Sequence, residues 1–299
     1  MKLSILMAAY NEERTVVQAA AAVLAADYPC PIELIIVDDG SRDWTPELLA
    51  GIDDPRVTVH RHPVNRGKSA ALGTGIKLAT GTHMVPFDAD LEYSADDIPR
   101  VVEPVVSGRA EVVYGVRSFG VNAEYHAFRY IVGNRALTFA ANVMFGARIA
   151  DLHTCLKLIP LPLVRSLELR STGFGMDTEL TARLLRAGIR PFEVPVSYRG
   201  RSHADGKKIG WRDGVACLRI LARVRFSPAQ PVSESALQPQ SHPPSGDRAD
   251  VPAQPAPQDP AGTADLTGAQ AADVDDLTGA QSPDRADSSL LSMGEGLSG

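Results

Sequence analysis

The sequence has little that would make a disulfide-bonded or a membrane-spanning protein. Its three cysteines, Cys30, Cys155 and Cys217, are odd in number, far apart and without metal-ligand spacing, which predicts a reduced, cytoplasmic setting. No run of about 18 apolar residues occurs, so no transmembrane helix is predicted. The apolar start at 1–10 is interpreted as a buried strand rather than a secretion signal, because Asn11-Glu12-Glu13 follows it directly.

Two common nucleotide-binding loops are also missing. Asn65-Arg66-Gly67-Lys68 lacks the glycine spacing of a P-loop, and Gly73-Thr74-Gly75 lacks the third glycine of a dinucleotide-binding fingerprint. Residues 1–226 carry 28 basic and 25 acidic side chains and contain no recognition motif for nucleic acid. These absences argue against a P-loop enzyme, a dinucleotide-binding enzyme and a nucleic-acid-binding protein.

Aromatic residues are absent after Phe226, where the composition changes to proline, alanine, glutamine, aspartate, serine and glycine. The segment carries eleven acidic residues and two arginines, and it repeats DLTGAQ at 265–270 and 276–281. Such a segment cannot bury enough apolar surface to offset its chain entropy. We therefore predict one globular domain at 1–226 and a disordered acidic tail at 227–299, for which the sequence indicates no partner.

Residues 1–226 alternate between apolar runs and helical patterns. Leu3–Ala8 is short and apolar apart from Ser4, as expected for a strand covered on both faces. Asn11 is expected to cap the helix that follows, with Glu12 and Glu13 in its first turn. The alternation predicts an α/β fold with a mostly parallel, doubly wound sheet. The other predicted strands and helices up to this point are Ile32–Val37, Arg56–Arg61, Thr82–Phe87 and Glu111–Val116, and Thr15–Ala26, Gly67–Thr80 and Ala95–Ser107.

The pattern changes after Arg117. A long helix is predicted at Tyr125–Phe145, with apolar residues on more than one side. A second helix is predicted at Met176–Arg186, with Gly188 as its C-terminal cap. The remaining segments are an extended run at Ile149–Ile159, another at Pro191–Tyr198, a basic stretch at Arg199–Lys208 and a helix at Ile209–Phe226.

Polar residues follow the predicted strands at their carboxyl ends, where ligands bind in sheets of this kind. Asp88-Ala89-Asp90 follows one strand, and two carboxylates one residue apart can share Mg²⁺ or Mn²⁺, which also bridge to a diphosphate. Glu92 is a candidate further ligand. Asp38-Asp39-Gly40-Ser41 follows another strand, and a carboxylate there can accept hydrogen bonds from a base or a ribose hydroxyl. The alternatives are solvated loop acids and an ordinary Asp-Gly turn.

Taken together, these segments resemble glycosyltransferase family 2, whose members have the GT-A fold. The resemblance extends through most of 1–226 and is closest to polyprenyl-phosphate mannosyl- and glucosyltransferases of the dolichyl-phosphate type. It implies a metal-dependent enzyme that transfers a hexose from a UDP- or GDP-linked donor. The matching segments are AAYNEE at 8–13, VDDGS at 37–41, NRGK at 65–68, DADLE at 88–92, the strand ending at Arg117, GFGMDTEL at 173–180 and GRSHADGKKIGWRDG at 200–214.

The resemblance also implies roles for single residues. Ala8 stands where these enzymes commonly have proline, and Glu92 stands where relatives often have glutamine, which makes the metal site more negative. Arg117 would contact phosphate, and Arg201 and Lys207 would close over the donor diphosphate or hold the acceptor phosphate. The implied donor-binding residues are Ala8, Tyr10, Glu12, Val37, Asp39, Asp88 and Ala89, and the implied metal ligands are Asp88, Asp90 and Glu92.

The expected reaction is one displacement that inverts the anomeric carbon. A lipid phosphate is already anionic at pH 7 and needs no strong general base, whereas a hydroxyl acceptor needs one. Asp177 and Glu179 are the candidates for such a base, and Asp177 is also a candidate for binding the acceptor. Because these two acids are two positions apart, they do not share a helical face. The expected catalytic residues are Asp90, Arg117, Asp177, Arg201 and Lys207.

Three functions remain open from the sequence. The first is a polyprenyl-phosphate glycosyltransferase that docks peripherally at the cytoplasmic face of a membrane. The second is a family relative that acts on a soluble or polymeric sugar acceptor, and the third is a non-catalytic nucleotide-sugar-binding scaffold. The arginines of the helix at 209–226 indicate either contact with an anionic membrane surface or a core-packing helix with a solvated basic face.

Overall fold

A computed structural model describes residues 1–117, 123–124, 128–171, 173, 175–200 and 211–228. The chain divides into two units, 1–242 and 243–299, and every described residue belongs to the first. The predicted tail lies outside the described residues except at its first two positions. Arg201 and Lys207 also lie outside them, so the roles expected of these two residues stay predictions.

Strands and helices alternate along the first part of the chain, as the sequence predicts. The elements up to Arg117 are β1 Leu3–Ala9, α1 Val16–Ala25, β2 Ile32–Asp38, α2 Thr45–Ala50, β3 Val57–Arg61, α3 Lys68–Leu78, β4 His83–Pro86, α4 Asp97–Val106 and β5 Val113–Arg117. The later elements are β6 Ala123–Glu124, α5 Phe128–Phe145, β7 Lys157–Pro160, α6 Leu161–Ser166, α7 Gly175–Arg186, β8 Phe192–Val196, β9 Tyr198–Arg199 and α8 Trp211–Phe226.

Seven strands form the main sheet in the order β3-β2-β1-β4-β7-β5-β8. The pairs β1–β2, β1–β4, β2–β3 and β5–β8 are parallel, so the predicted α/β fold with a mostly parallel sheet is confirmed. β7 is antiparallel to both of its neighbours, β4 and β5. A crossover helix between neighbouring strands makes them parallel. β7 is separated from β5 by both β6 and α5, so it is not held to that parallel direction.

The central strand shows why continuous apolar runs form this sheet. Successive side chains of a strand point to opposite faces, so Ile5 and Met7 pack with α1 and α4, whereas Leu6 packs with α3 on the other face. All three side chains are at most 1% exposed. A third cluster joins α5, α7 and α8 through Ala141, Ala182, Leu185, Leu221 and Val224.

Two expectations about local structure are wrong. Asn11 does not cap a helix: its φ is 56°, its Oδ1 accepts a hydrogen bond from Arg42 N at 2.9 Å, and α1 begins only at Val16. The predicted extended run at 149–159 is a strand only from Lys157 onward. Its earlier residues form turns whose polar groups bond to α5, for example Leu152 N to Thr138 Oγ1 at 3.1 Å.

The long helix α5 has apolar residues on two sides, as predicted. Ile131 and Ala141 are buried, whereas Phe139 is 70% exposed and Val143 is 66% exposed. Gly188 follows α7 with a φ of 82°, and its N–H donates to Leu185 O, which confirms the expected glycine at this helix end. Within the described ranges, no helix combines the length and the apolar character needed to cross a bilayer.

Candidate active site

The carboxyl ends of β1, β2 and β4 bring three polar segments to one edge of the sheet. The register pairs Ala9 with Asp38, and Leu6 with Pro86. Two backbone hydrogen bonds continue this alignment beyond the strands, from Asp39 N to Ala9 O at 2.8 Å and from Phe87 N to Leu6 O at 2.9 Å. The segments that begin at Tyr10, Asp39 and Asp88 therefore leave the sheet on the same side, with β1 between the other two strands.

Asp39 organises the loop that connects β3 to α3. Its carboxylate accepts hydrogen bonds from the backbone N–H groups of Arg66 at 3.0 Å and Gly67 at 2.6 Å. It also pairs with His62 Nδ1 at 2.7 Å, and His62 Nε2 lies 2.9 Å from Thr74 Oγ1. Asp39 and His62 are each 2% exposed. In this structure the Asp39 carboxylate holds the loop, and its expected contact with the donor stays a prediction.

Gly40 lets this loop approach the end of β2. Its φ is 72°, and a Cβ atom placed there would lie 2.6 Å from Val64 C and 2.7 Å from Asn65 N. Both contacts are to backbone, which cannot move without displacing the loop. Glycine is thus required at this position for both its conformation and its lack of a side chain.

We expect Gly40→Ala to lower the free energy of unfolding and also to weaken donor binding. The left-handed conformation alone costs about 1–3 kcal/mol for a residue with a side chain. Gly108→Ala is a matched control, because Gly108 has a φ of 74° but no atom within 4 Å of the added Cβ. Urea unfolding and donor titration of both variants separate backbone strain from loop displacement. Equal unfolding and binding effects in the two variants would contradict the role assigned to the close contact.

Lys68 links the two acidic segments. It follows Gly67, which binds Asp39, and its Nζ lies 2.6 Å from Asp88 Oδ1. Although burial favours the neutral amine, the Asp88 carboxylate keeps the pKa of Lys68 above its ordinary value. Burial and the same carboxylate raise the pKa of the Cys155 thiol well above its ordinary value, so the thiol stays neutral. Lys68 is therefore a cation at the edge where the acids converge.

Asp88 and Asp90 offer a suitable but incomplete set of metal ligands. The described residues contain no group of three or more His, Cys, Asp or Glu side chains placed to hold a metal ion. Glu92 Oε2 instead accepts a hydrogen bond from the Tyr198 hydroxyl at 2.6 Å. The expected three-carboxylate set with Glu92 is thus not assembled here. Two carboxylates still fit Mg²⁺ or Mn²⁺, because such ions commonly take one or two protein carboxylates and complete their coordination with phosphate oxygens and water.

The turn between Asp88 and Glu92 has a strained conformation. Leu91 has a φ of 60°, which is uncommon for a residue with a branched side chain. Glu92 N donates to Asp90 Oδ1 at 3.1 Å, and Ala89 is buried at 2% exposure. The turn is held at its far end by Arg199 N, which donates to Glu92 O at 2.8 Å. The position of Asp90 therefore depends on contacts with β9.

Arg117 forms a buried ion pair at the end of β5. Its Nε lies 2.6 Å from Asp151 Oδ2 and its Nη2 lies 2.8 Å from Asp151 Oδ1, with side-chain exposures of 11% and 3%. Asn134 of α5 donates to the same carboxylate, and the guanidinium lies over the Tyr198 ring at 4.9 Å. The structure thus gives Arg117 a structural partner, and its expected phosphate contact stays a prediction.

Asp177 lies at the start of α7 beside a buried lysine. Lys157 Nζ is 3.3 Å from Asp177 Oδ1 and 3.0 Å from Leu152 O, and the Lys157 side chain is fully buried. Burial would raise the pKa of Asp177, but the charges of Lys157 and Lys68 outweigh it and hold that pKa below its ordinary value. The Lys68 charge therefore influences the pKa of Asp177 as well as pairing with Asp88.

The other candidate base has a structural role. Glu179 is fully buried and accepts hydrogen bonds from Ser171 N at 2.6 Å and Arg183 Nε at 2.8 Å. His153 is also occupied, with Nδ1 3.0 Å from Asn134 Oδ1 and Nε2 2.9 Å from Thr178 Oγ1. Burial, reinforced by the Lys157 charge, lowers the pKa of His153 to about 4. Neither group is placed as a base near neutral pH.

The remaining expected donor-binding residues differ in accessibility. Tyr10 is 40% exposed and can offer its ring to a ligand, whereas Val37 is 1% exposed within the sheet. Ala8 is half-buried and pairs with Val37. Glu12 Oε2 accepts a hydrogen bond from Thr15 Oγ1 at 2.9 Å. Their donor contacts stay predictions.

Sequence reasoning missed four residues of this region, namely His62, Lys68, Asp151 and Lys157. Lys68 was visible within the NRGK segment, but its partner could not be identified because Asp88 is 20 positions away. Lys157 carries a recognisable signal, since it is a single charge in the apolar run at 156–159. Asp151 carries no signal in the sequence.

The fold of this protein is of the GT-A type. It is similar to the crystal structure of glucosyl-3-phosphoglycerate synthase from Mycobacterium tuberculosis, with a TM-score of 0.56 and 19% identity. That alignment covers 76% of this chain and 80% of the other. A likeness at this identity concerns the fold alone. The model of the family described as "Glycosyl transferase family 2" matches residues 4–160, and the chain belongs to that family.

Two curated relatives show the range of the family around this sequence. The chain is 27% identical over 219 residues to the low-salt glycan biosynthesis hexosyltransferase Agl6 of Haloferax volcanii, covering 70% of this chain and 51% of that protein. It is 29% identical over 251 residues to the undecaprenyl-phosphate 4-deoxy-4-formamido-L-arabinose transferase of Pseudomonas fluorescens, covering 76% and 69%. The chain thus spans about half the length of the first relative and about two thirds of the second.

Proposed function

We propose that this chain is an inverting hexosyltransferase that moves a sugar from a UDP- or GDP-linked donor to a polyprenyl phosphate. One observation carries the proposal. The acidic segments after β2 and β4 lie at one sheet edge. Two consecutive residues connect them, because Gly67 binds Asp39 in the first segment and Lys68 binds Asp88 in the second. A cation and a sugar-linked diphosphate can be held together only where such groups meet.

The donor would bind along this edge. The base and ribose would lie against Tyr10 and the loop held by Asp39, and the diphosphate would lie near Lys68, Asp88 and Asp90. Asp88 and Asp90 would hold Mg²⁺ or Mn²⁺. The crystal structure of a protein with a similar fold contains Mn²⁺ together with UDP. When bound, such an ion stabilises negative charge on a departing diphosphate. Lys68 supplies positive charge from the protein itself.

The choice of acceptor follows from the weakness of the available bases. Asp177 is ionised and paired with Lys157, and its lowered pKa makes it a poor proton acceptor. A hydroxyl acceptor must lose a proton as it attacks, whereas a phosphate monoester is already anionic at neutral pH. An ionised phosphate can attack the anomeric carbon from the side opposite the diphosphate without a base. The undecaprenyl-phosphate acceptor in the name of one relative supports the same choice.

A panel of acceptors tests the proposal. UDP-glucose and GDP-mannose are each offered with Mg²⁺ or Mn²⁺ to a short-chain polyprenyl phosphate and to the polyprenol that lacks the phosphate. We expect at least about a hundredfold more labelled sugar in the organic extract with the phosphate than with the alcohol, because the described part of the chain places no strong base in the site. Donor hydrolysis is measured in parallel.

Two other results would each indicate a different function. Equal transfer to a water-soluble sugar would show a family member that acts on a soluble acceptor. Donor binding without transfer or hydrolysis under every condition would show a nucleotide-sugar-binding scaffold. Placement at the cytoplasmic face of a membrane is part of the proposal, because a polyprenyl phosphate presents its phosphate at such a surface.

A further inference from the structure

The long helix α5 presents an apolar stripe that no described residue covers. Val132, Phe139 and Val143 are 48%, 70% and 66% exposed, and Ala136 between them is also exposed. Their spacing of four, three and four positions aligns them along one side of a helix. Exposed apolar residues in such a continuous row mark an interaction surface rather than ordinary solvent exposure.

The opposite side of α5 holds the active-site region. Asn134 bonds to Asp151 at 2.8 Å, and Asn142 bonds to both the N–H and the C=O of Ile149 at 2.9 Å. At 100° per residue, Asn134 lies roughly 170° and Asn142 roughly 90° around the axis from the middle of the apolar stripe. One side of α5 thus supports Arg117, because Asn134 bonds to its partner Asp151. The apolar stripe on the other side is left to contact a separate surface.

The charged residues along α5 and at its C-terminal end are arginines. Residues 128–145 contain two arginines and no acidic residue. At the C-terminal end of α5, Arg190 Nη2 donates to Phe145 O at 3.2 Å and Arg225 Nε donates to Met144 O at 2.8 Å. Both arginines complement the negative end of the helix dipole at the last turn of α5, the turn that also contains Val143. Arg225 also lies 5.8 Å from the ring of Phe226, which is 80% exposed.

The neighbouring helix α8 does not provide this surface. Cys217, Leu221 and Val224 of α8 are buried against α5 and α7, and its exposed large apolar residues, Leu218 and Phe226, are eight positions apart and form no continuous row. Its exposed side carries Arg212, Arg219, Arg223 and Arg225. Of the two alternatives open from the sequence, the structure favours a core-packing helix with a solvated basic face. Of these arginines, Arg225 contacts α5, through Met144 O.

We propose that the stripe Val132, Ala136, Phe139 and Val143 is the membrane-docking surface of this protein, and that it binds a bilayer containing anionic lipid. Apolar side chains flanked by arginines suit the boundary between acyl chains and negatively charged headgroups. The inference rests on the proposed lipid-phosphate acceptor for its purpose, because docking through α5 would hold the protein at the surface that presents such an acceptor. Its physical basis is independent of turnover.

Vesicle flotation of the full chain tests the surface without measuring catalysis. Vesicles of phosphatidylcholine alone are compared with vesicles that also contain phosphatidylglycerol. We expect binding to the anionic vesicles, weakened by salt, and a loss of about tenfold or more in Phe139→Asp. Val132→Asp is compared with Val106→Asp at the end of α4, because both valines are 48% exposed. We expect only the change at 132 to weaken binding.

The outcomes separate docking from the proposed reaction. Equal vesicle binding by Phe139→Asp, or no binding by the unmodified chain, would overturn the docking surface. A dimer that dissociates in Phe139→Asp without any vesicle binding would also overturn it, because the stripe would then join two copies. Transfer to a short-chain polyprenyl phosphate in solution should persist in Phe139→Asp. Vesicle binding without any transfer by the unmodified chain would support docking and contradict the proposed reaction.

Discussion

Replacing Asp151 by asparagine is expected to lower the free energy of unfolding by about 3 kcal/mol, one of the two largest effects in this protein. Asp151 is the bidentate partner of Arg117, and both side chains are buried. Removing the negative member of a buried pair leaves the remaining charge without compensation for its lost hydration. Urea unfolding followed by circular dichroism measures the change.

An exposed ion pair is the control. Glu103 of α4 pairs with Arg109, which follows the helix, and the two side chains are 55% and 54% exposed. Glu103→Gln is expected to change stability by no more than about 0.5 kcal/mol, because exposed pairs are weak. Similar losses in the two variants would show that burial does not determine the strength of the Arg117–Asp151 pair.

The pH dependence of stability provides a second test of the same pair. Burial alone would raise the pKa of Asp151, but the Arg117 charge and hydrogen bonds lower it to about 2. Since the folded-state pKa lies below the unfolded value of about 3.9, the contribution is present above that value and is lost as pH falls towards 2. The Asp151→Asn protein should therefore lose less stability than the unmodified protein over this acid range.

Asp90→Ala is expected to reduce sugar transfer by about a thousandfold with little change in unfolding. A carboxylate that positions a divalent ion at a departing diphosphate acts mainly in the transition state. Asp90 also accepts a hydrogen bond from Glu92 N, and Asp90→Asn retains an oxygen for that bond while removing the charge. Comparable losses in both variants would assign the effect to the charge rather than to the turn.

Asp96→Ala is the matched control for Asp90. Asp96 is an exposed acid six positions further along the same segment, and its contact is with Ser94. We expect its transfer rate to remain within about twofold of the unmodified enzyme, because surface substitutions have small effects. Unmodified rates in Asp90→Ala under Mg²⁺ and Mn²⁺ would refute the assignment of Asp90 as a metal ligand.

The strands that position the active site could be predicted because their signal is local. Leu3–Ala8 and Ile32–Val37 are apolar runs interrupted only by Ser4 and Glu33, and helices cover the sheet on both faces. Parallel strands carry their following loops to one edge, so the convergence of the segments at 38–41 and 88–90 followed from their order in the sequence. The GT-A fold implied by the family motifs is confirmed by the solved structure with a TM-score of 0.56.

The partners of the polar side chains could not be predicted in the same way. Asn11 has the residue type of a helix cap, but its side chain bonds to the backbone of Arg42, 31 positions away. Asp39 has the residue type of a ligand-binding acid, but its oxygens hold His62 and the loop before α3. A polar group binds whichever complementary group the folded chain places within hydrogen-bonding distance, and sequence neighbours do not specify that group.

By itself, the sequence determined the alternation of strands and helices, the edge at which the acids emerge and the family of the chain. These features depend on apolar periodicity and on the residue types that end each strand, both of which are local. Only the tertiary structure decided that β7 runs antiparallel, that Lys68 bridges to Asp88, that Asp151 neutralises Arg117 and that α5 presents an apolar side to solvent. Each of these depends on which distant segments pack together once the core is buried.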